Sequence, residues 1–419
     1  MGRTDSCPIV HGYDFLAPST MADPYRALAP IRELGGVAYL PEYDRYVVLR
    51  YADVERMLLD RESWSAANAS SPLIPVCARA QAVLDAGYHR VPTLNNADPP
   101  RHGPMRRAVL RCMTPRRMAD LEPQLRTYAR DLVVGFADEP VVELIDALAF
   151  PFPGYAAFSL LGFPECDTDQ LKAWSRTRVL LTYGRLAEDD QLAVAHEIVA
   201  FWRYVEAFVR ERVERPTDDL TSDLARYSAE HPDQLTEADI VNIAYSMALA
   251  GHETTTNAIG NGLKALLPRR SEWQLLIDHP DLIPNAVEEI LRYDASVLLH
   301  RRLAKTDVEF AAATVPAGGK VFMGLGPSGR DPEAFADPDA FDVTRSDAGE
   351  HLAFGKGAHL CLGAPLARLE LRIVLELLTE LLPGIELMPD QSFDYVPNAL
   401  FRGLQQLHVA PRGLPAVRG

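Results

Sequence analysis

The chain has 419 residues, 47% of them apolar, and a formal net charge of −16 from 42 lysines and arginines against 58 acids. This builds a large core and excludes a protein that coats nucleic acid or an anionic membrane. The five cysteines, at 7, 77, 112, 166 and 361, form no C-x-x-C pair and are odd in number, so neither a disulfide framework nor a structural zinc site is expected, and a cytoplasmic location suits them.

The opening "MGRTDSCPIVHGYDF" has no apolar signal core, and its loose myristoylation pattern lacks a second lipid signal, so it reads as a chance match. No stretch approaches the roughly 18–20 apolar residues of a membrane span, so no membrane partner is expected. Repeats, low-complexity tracts and Gly/Ser linkers are absent, which favours one domain over residues 1–419.

Short β-like runs come first, "VAYL" and "RYVVLR" within 37–50. The next marked segment, "DPPRHGPMRRAVLRCMTPRR" (98–117), holds six arginines and a histidine without an acid between 101 and 117. In so acidic a chain that local excess offers anion ligands and a docking face for an acidic partner. Gly103-Pro104 predicts a helix starting at Pro104, with His102 near its cap.

Most of 115–295 carries helical spacing. Its clearest helix, "TEADIVNIAYSMALAGHETTTNAIGNGLKALL", opens on the capping box Thr236-x-x-Asp239 and closes before Pro268. It is apolar nearly all round up to Ala250, so it should cross the interior over roughly 45 Å. The polar cluster "AGHETTTN" (250–257) interrupts that wall, and Gly251 with three threonines is expected to bend or open the helix. An acid, Glu253, beside a hydroxyl, Thr254, is what a proton relay needs. The zincin pattern H-E-x-x-H fails because position 256 is Thr.

Further on, "NAVEEILRY" (285–293) puts Glu289 and Arg292 on one helical face, a pairing that contributes only about 0.2–0.5 kcal/mol on a surface helix. A strand is expected at "KVFMGL" (320–325). The following "GLGPSG" matches G-x-G-x-x-G, but Pro327 and "RDPEAFADPDAF" leave no helix to take a pyrophosphate. Last comes "FGKGAHLCLG" (354–363), ahead of an amphipathic helix over 362–382. Cys361 then lies at a helix N-terminus, which favours a thiolate, while Gly355, Gly357 and Gly363 give the backbone freedom to lie against a bulky group. A thiolate with such clearance suits an axial ligand of haem iron. The class is mainly α with small β-sheets.

Taken together, "FGKGAHLCLG", "AGHETT", Glu289-x-x-Arg292 and "DPPRH" resemble, in kind and in chain order, the signatures of the cytochrome P450 family of haem-thiolate monooxygenases. The stretch from "HRRLAKTDVEF" to "GRDPEAFADPDAFDVTR" is similar to that family's link between the Glu289 helix and the cysteine loop, and the resemblance covers essentially the whole chain. It implies the P450 fold, with a long central helix crossing a single haem-containing domain. It implies haem b with Cys361 as the axial metal ligand, Phe354 and Gly355 beside the sulfur, and His102, Arg106, Arg302 and His359 on the propionates. Glu253 and Thr254 would be the catalytic proton-delivering pair, and Glu289 and Arg292 a structural salt bridge. Gly329, where many relatives carry Asn, and Pro104 depart from the family pattern. His300 is open to two readings, a further propionate contact or a loop histidine.

The implied reaction inserts one atom of O2 into a small organic substrate, with electrons from a separate ferredoxin and ferredoxin reductase, since no flavin or iron–sulfur signature is present. Arg106–Arg117 with Lys356 would receive the ferredoxin. The pocket segments implied are 64–97, 172–190, 295–299 and 398–403, with Val297, Leu298, Leu299, Leu400 and Phe401 as apolar substrate walls. Arg176, Arg178 and Arg185 could meet an anionic substrate, though helical arginines are more often solvated. Two alternatives stay open: a P450-type enzyme doing peroxide-driven, coupling or nitration chemistry, and a non-catalytic haem-binding partner that presents another protein's substrate.

Overall fold

Thr236 begins the longest helix. Its hydroxyl accepts from the Asp239 N–H at 3.2 Å while the Asp239 carboxylate accepts from the Thr236 N–H at 2.9 Å, the reciprocal box expected from sequence. The computed structural model, which describes residues 7–413 and leaves the "MGRTDS" segment outside the described residues, carries this helix over Glu237–Leu266, 30 residues. Buried residues line it from Asp239 to Leu266, so it is an interior helix. Helices Pro151–Leu161, Glu188–Glu214, Ile283–Tyr293 and Ala364–Leu381 pack around it in the main core.

The helix does not open at "AGHETTTN". Thr254 and Thr256 donate to the Ala250 and His252 carbonyls at 2.8 and 3.1 Å, yet helical structure continues without interruption. Gly251 has a packing reason instead: a Cβ there would lie 3.0 Å from the Ala157 methyl, so the glycine lets Pro151–Leu161 approach.

A five-stranded sheet takes the order Val37–Leu40, Arg45–Val48, Lys320–Gly324, Leu299–Ala304, Trp64–Ser65. Lys320–Gly324 pairs parallel to Arg45–Val48 and antiparallel to Leu299–Ala304, which places Phe322 between Val47 and Arg301. His300 is therefore a strand residue, not a loop one.

Two local expectations change. The arginine-rich helix spans His102–Cys112 and begins before Pro104, with the His102 N–H donating to the Asp98 carbonyl at 3.2 Å. Pro104 is tolerated because first-turn N–H groups have no helical acceptor. "GLGPSG" forms one buried turn, Leu325–Ser328, whose Gly326 N–H donates to the Leu298 carbonyl at 3.1 Å, so it stays unavailable to a dinucleotide.

Within Ile283–Tyr293, Glu289 and Arg292 are fully buried and pair at 2.6 Å, in contrast to the surface pair that spacing alone suggests. Arg292 also donates to the carbonyls of Gly329, Pro338 and Ala340, and Glu289 accepts from the Asp342 N–H at 2.9 Å. One ion pair thus ties the helix to the segment leading to the cysteine loop.

Candidate active site

A cavity of 360 Å³ lies between the central helix, strand Leu299–Ala304 and the loop before Ala364–Leu381, a size that suits a small organic ligand. Of the five cysteines, all among the described residues, only Cys361 lines it. Cys361 is exposed towards this cavity while lying deep in the molecule. Burial raises its thiol, and the N–H groups of Gly363 and Ala364, then the charges of Arg106 and Arg368, act the other way. The helix-terminus stabilisation read from sequence is present in kind, but burial outweighs it.

The loop's shape explains two of its glycines. Gly355 and Gly357 hold φ of 68° and 70°, and a Cβ on Gly357 would sit 2.9 Å from the Leu58 carbonyl oxygen. Gly363 differs from the expectation: its φ of −81° is open to any residue, and its contribution is the N–H near the sulfur. The Cys361 N–H donates to the Phe354 carbonyl at 2.9 Å. Phe354 lines the cavity, and the Arg368 guanidinium lies 4.6 Å from its ring centroid. Glu288 holds Arg368 through two bonds of 2.6 and 2.8 Å, a brace with no sequence signature of its own.

Two arginines and two histidines also face the cavity. Arg106, His300, Arg302 and His359 line the cavity, and the His102 ring stacks 4.2 Å from that of His359. Arg106 donates to the Leu360 carbonyl at 2.6 Å, and Arg302 to His300 Nδ1 at 3.0 Å and the Arg301 carbonyl at 2.8 Å. Neither arginine has a carboxylate partner among the described residues. Burial, then the charge of Arg302, pulls both His300 and His359 down to about 3. Burial lowers Arg302 to about 10, offset only in part by Asp98. His102 is lowered by burial and then by Arg106, and its Nε2 has no partner among the described residues.

Glu253 and Thr254 line the cavity on the central helix; Glu253 is buried, and Thr254 is half-buried and faces the open space. The apolar walls include Val297, Leu299, Leu400 and Phe401. Leu298 departs from its expected role: it does not face the cavity, and it packs with Phe322 and Ala399 in a cluster that also holds Leu299 and Leu400. Arg90 falls in the implied pocket segment 64–97 but had no role of its own there, His300 reaches the wall from a strand, and Glu370 is a wall residue with no sequence assignment. Glu370 is fully buried, neither of its oxygens has a partner among the described residues, and burial raises it well above the usual carboxylate range.

Comparison with known proteins gives a consistent answer. Residues 268–381 match the family model described as Cytochrome P450. The chain is 35% identical to the Vitamin D(3) 25-hydroxylase of Pseudonocardia autotrophica, over 92% of this chain and 91% of that protein. The chain belongs to the cytochrome P450 family. Among solved P450 structures, it matches an intact type IV self-sufficient cytochrome P450 monooxygenase with a TM-score of 0.92 and 37% identity, covering 97% of this chain and 53% of that one. The chain thus spans about half the length of that protein. It also matches cytochrome P450 CREJ in complex with (4-ethylphenyl) dihydrogen phosphate, with a TM-score of 0.91, 32% identity and coverage of 96% and 99%.

As a cytochrome P450, the protein is a haem-dependent monooxygenase whose iron takes a cysteine thiolate. The cavity fits such a group on its own observations. It presents one thiol, set off by backbone N–H groups, and two arginines without a carboxylate partner among the described residues. A flat apolar cofactor with two carboxylates matches both features.

Proposed function

We propose that the chain, read as one domain over 1–419, inserts one atom of O2 into a small organic molecule, with Cys361 as the iron ligand. Haem, when bound, supplies the one-electron and dioxygen chemistry. Arg106, Arg302, His102 and His359 hold its propionates, with His300 as a neutral hydrogen-bond neighbour of Arg302. Phe354 and Gly355 shape the loop around the sulfur. Glu253 and Thr254 would hold and pass protons into the cavity, with the Thr254 hydroxyl kept in place by the Ala250 carbonyl. The observation that carries the reading is Cys361 itself, alone among the cysteines at a cavity that an acid–alcohol pair also lines.

The Glu253–Thr254 pair also favours dioxygen over peroxide as the oxidant, because a peroxide-driven enzyme has no need of delivered protons. Electrons are proposed to come from a separate ferredoxin and its reductase. Arg107 and Arg111 are exposed on helix His102–Cys112, beside Leu110 at 49% and Leu360 at 44% exposure. A basic rim around an apolar centre suits an acidic electron carrier. Two expected members of that face are partly occupied: Arg117 pairs with Asp218 and Asp223, and Lys356 with Glu55 at 2.5 Å.

The test is turnover of a compound panel with a surrogate ferredoxin, its reductase and isotopically labelled dioxygen. One labelled atom per product molecule is expected. Electron uptake with no product and no perturbation of the ferric spectrum by any compound would favour the non-catalytic alternative.

A further inference from the structure

Two arginines at the cavity wall have no role in holding the cofactor or in moving protons. Arg90 follows helix Ala78–Gly87, and Arg178 lies on helix Thr168–Tyr183; both line the cavity. Among the described residues, the side-chain contacts both make are with aromatic rings. The Arg90 guanidinium lies 5.6 Å from the centroid of Tyr88, and that of Arg178 lies 5.9 Å from Tyr88 and 5.5 Å from Tyr245. Neither forms an ion pair among the described residues.

The surroundings hold both cations in place without neutralising them. Tyr88 and Tyr245 pack on each other at 5.4 Å and on Trp202 at 5.1 and 5.3 Å, and the Val91 N–H anchors the Arg90 segment to Asn242 of the central helix. Among the described residues neither tyrosine hydroxyl has a partner at full hydrogen-bond geometry, and that of Tyr88 lies close to Arg178 and Tyr245. Arg90 is lowered by burial and then by the charge of Arg178, so the two repel. An arginine stays charged at any ordinary pH, so this is a like-charged pair kept at the edge of an apolar cavity. Other candidates do not compare. Arg185, expected alongside Arg178, pairs with Asp14 at 3.2 Å, and the side chain of Arg176 lies outside the described residues.

We infer that Arg90 and Arg178 form an anion-binding subsite that takes the carboxylate or phosphate head of a substrate with an otherwise apolar body. The inference rests on the proposed oxidative role of the same cavity. It also orients the substrate. Tyr245, which Arg178 overlies, precedes Thr254 by nine residues of helix, about 13 Å along the axis. An anion held there directs the apolar end of an extended substrate towards Thr254, so oxidation falls far from the charged head.

The test uses matched pairs, decanoate against decanamide and decyl phosphate against decanol, with affinity measured by calorimetry on the haem-loaded protein. The anionic member is expected to bind about tenfold or more tightly, and the better of the two anions names the head group. Arg90→Gln and Arg178→Gln together should abolish that preference while retaining the reduced CO spectrum and leaving the ligand-free thermal midpoint unchanged or higher. Arg178→Lys should retain part of the preference. Equal affinity within both pairs, no binding of either anion at millimolar concentration, or a preference that survives the double variant would overturn the subsite. A double variant whose ligand-free midpoint falls, with no anion preference in the parent, would make the arginines structural. The CO spectrum reports on the haem-thiolate reading separately, so a normal spectrum with no anion preference breaks this inference alone.

Discussion

Arg292 and Arg178 are both cations drawn into the protein, and their surroundings are opposite. Arg292 is met by the Glu289 carboxylate and three carbonyls, and nothing outside the chain can reach it. Arg178 is met by two aromatic rings and an open cavity. Arg302 resembles Arg178 more than Arg292, since it borders the cavity with, among the described residues, a histidine and its neighbour's carbonyl as partners. A guanidinium whose charge is answered within the chain is part of the scaffold. One left unanswered beside a cavity marks where an anion belongs.

That contrast can be broken in order of expected effect. Arg292→Ala leaves the buried Glu289 carboxylate with only Arg345 at 3.5 Å and the Asp342 N–H at 2.9 Å among the described residues, and breaking the buried pair should cost about 3 kcal/mol of unfolding free energy in urea; a loss below about 1 kcal/mol would show that the pair is not the scaffold. Arg302→Gln should leave the fold in place and weaken haem retention instead. Loss of one charge-assisted hydrogen bond predicts about tenfold faster transfer of haem to a scavenging apo-globin. Unchanged retention would remove Arg302 from the propionate set.

Thr254→Ala tests the other wall: oxygen uptake should persist while product per oxygen falls and peroxide accumulates. Full coupling would take Thr254 out of the proton path. At the surface, Arg107→Glu should slow reduction by an acidic ferredoxin at low ionic strength, up to about tenfold, with the difference vanishing in high salt. A salt-independent effect would argue for misfolding over docking.

The smallest effect concerns the brace behind Phe354. Burial alone would raise the Glu288 carboxyl, but bonds from His351 and Arg368 hold it down, at about 2 against an ordinary 4.5. A depressed carboxylate contributes stability that is complete above the ordinary value and disappears as pH falls through the depressed one. The thermal midpoint should therefore fall between pH 4.5 and 2 more steeply in the parent than in Glu288→Gln. Parallel curves would mean that the brace carries no net stability.

How far all this was legible depended on whether the chemistry sits in contiguous residues. The cysteine loop, the capping box and the Glu289–Arg292 pair are short-range patterns, and their elements lie where the sequence predicts them. What escaped was long-range. Strand Leu299–Ala304 carries two arginines in a row and does not look like a buried strand until its register against Lys320–Gly324 is known. Leu298 reads as a pocket wall together with its apolar neighbours, and only the folded chain shows that it does not face the cavity. Arg90 meets Arg178 only when three separate elements converge, and Glu288 reaches Arg368 across 80 positions of chain. Gly251 and Gly363 were readable as glycines but not as to purpose, because close packing and an exposed N–H leave no mark in local spacing.

The measurement that tests the central claim most directly is the absorption spectrum of the reduced protein under carbon monoxide, for the parent and for Cys361→Ser at equal haem content. The account predicts the long-wavelength band of a thiolate-ligated haem in the parent and its loss in the variant. A band that survives in Cys361→Ser, or that is absent from a haem-loaded parent, would contradict the assignment of Cys361.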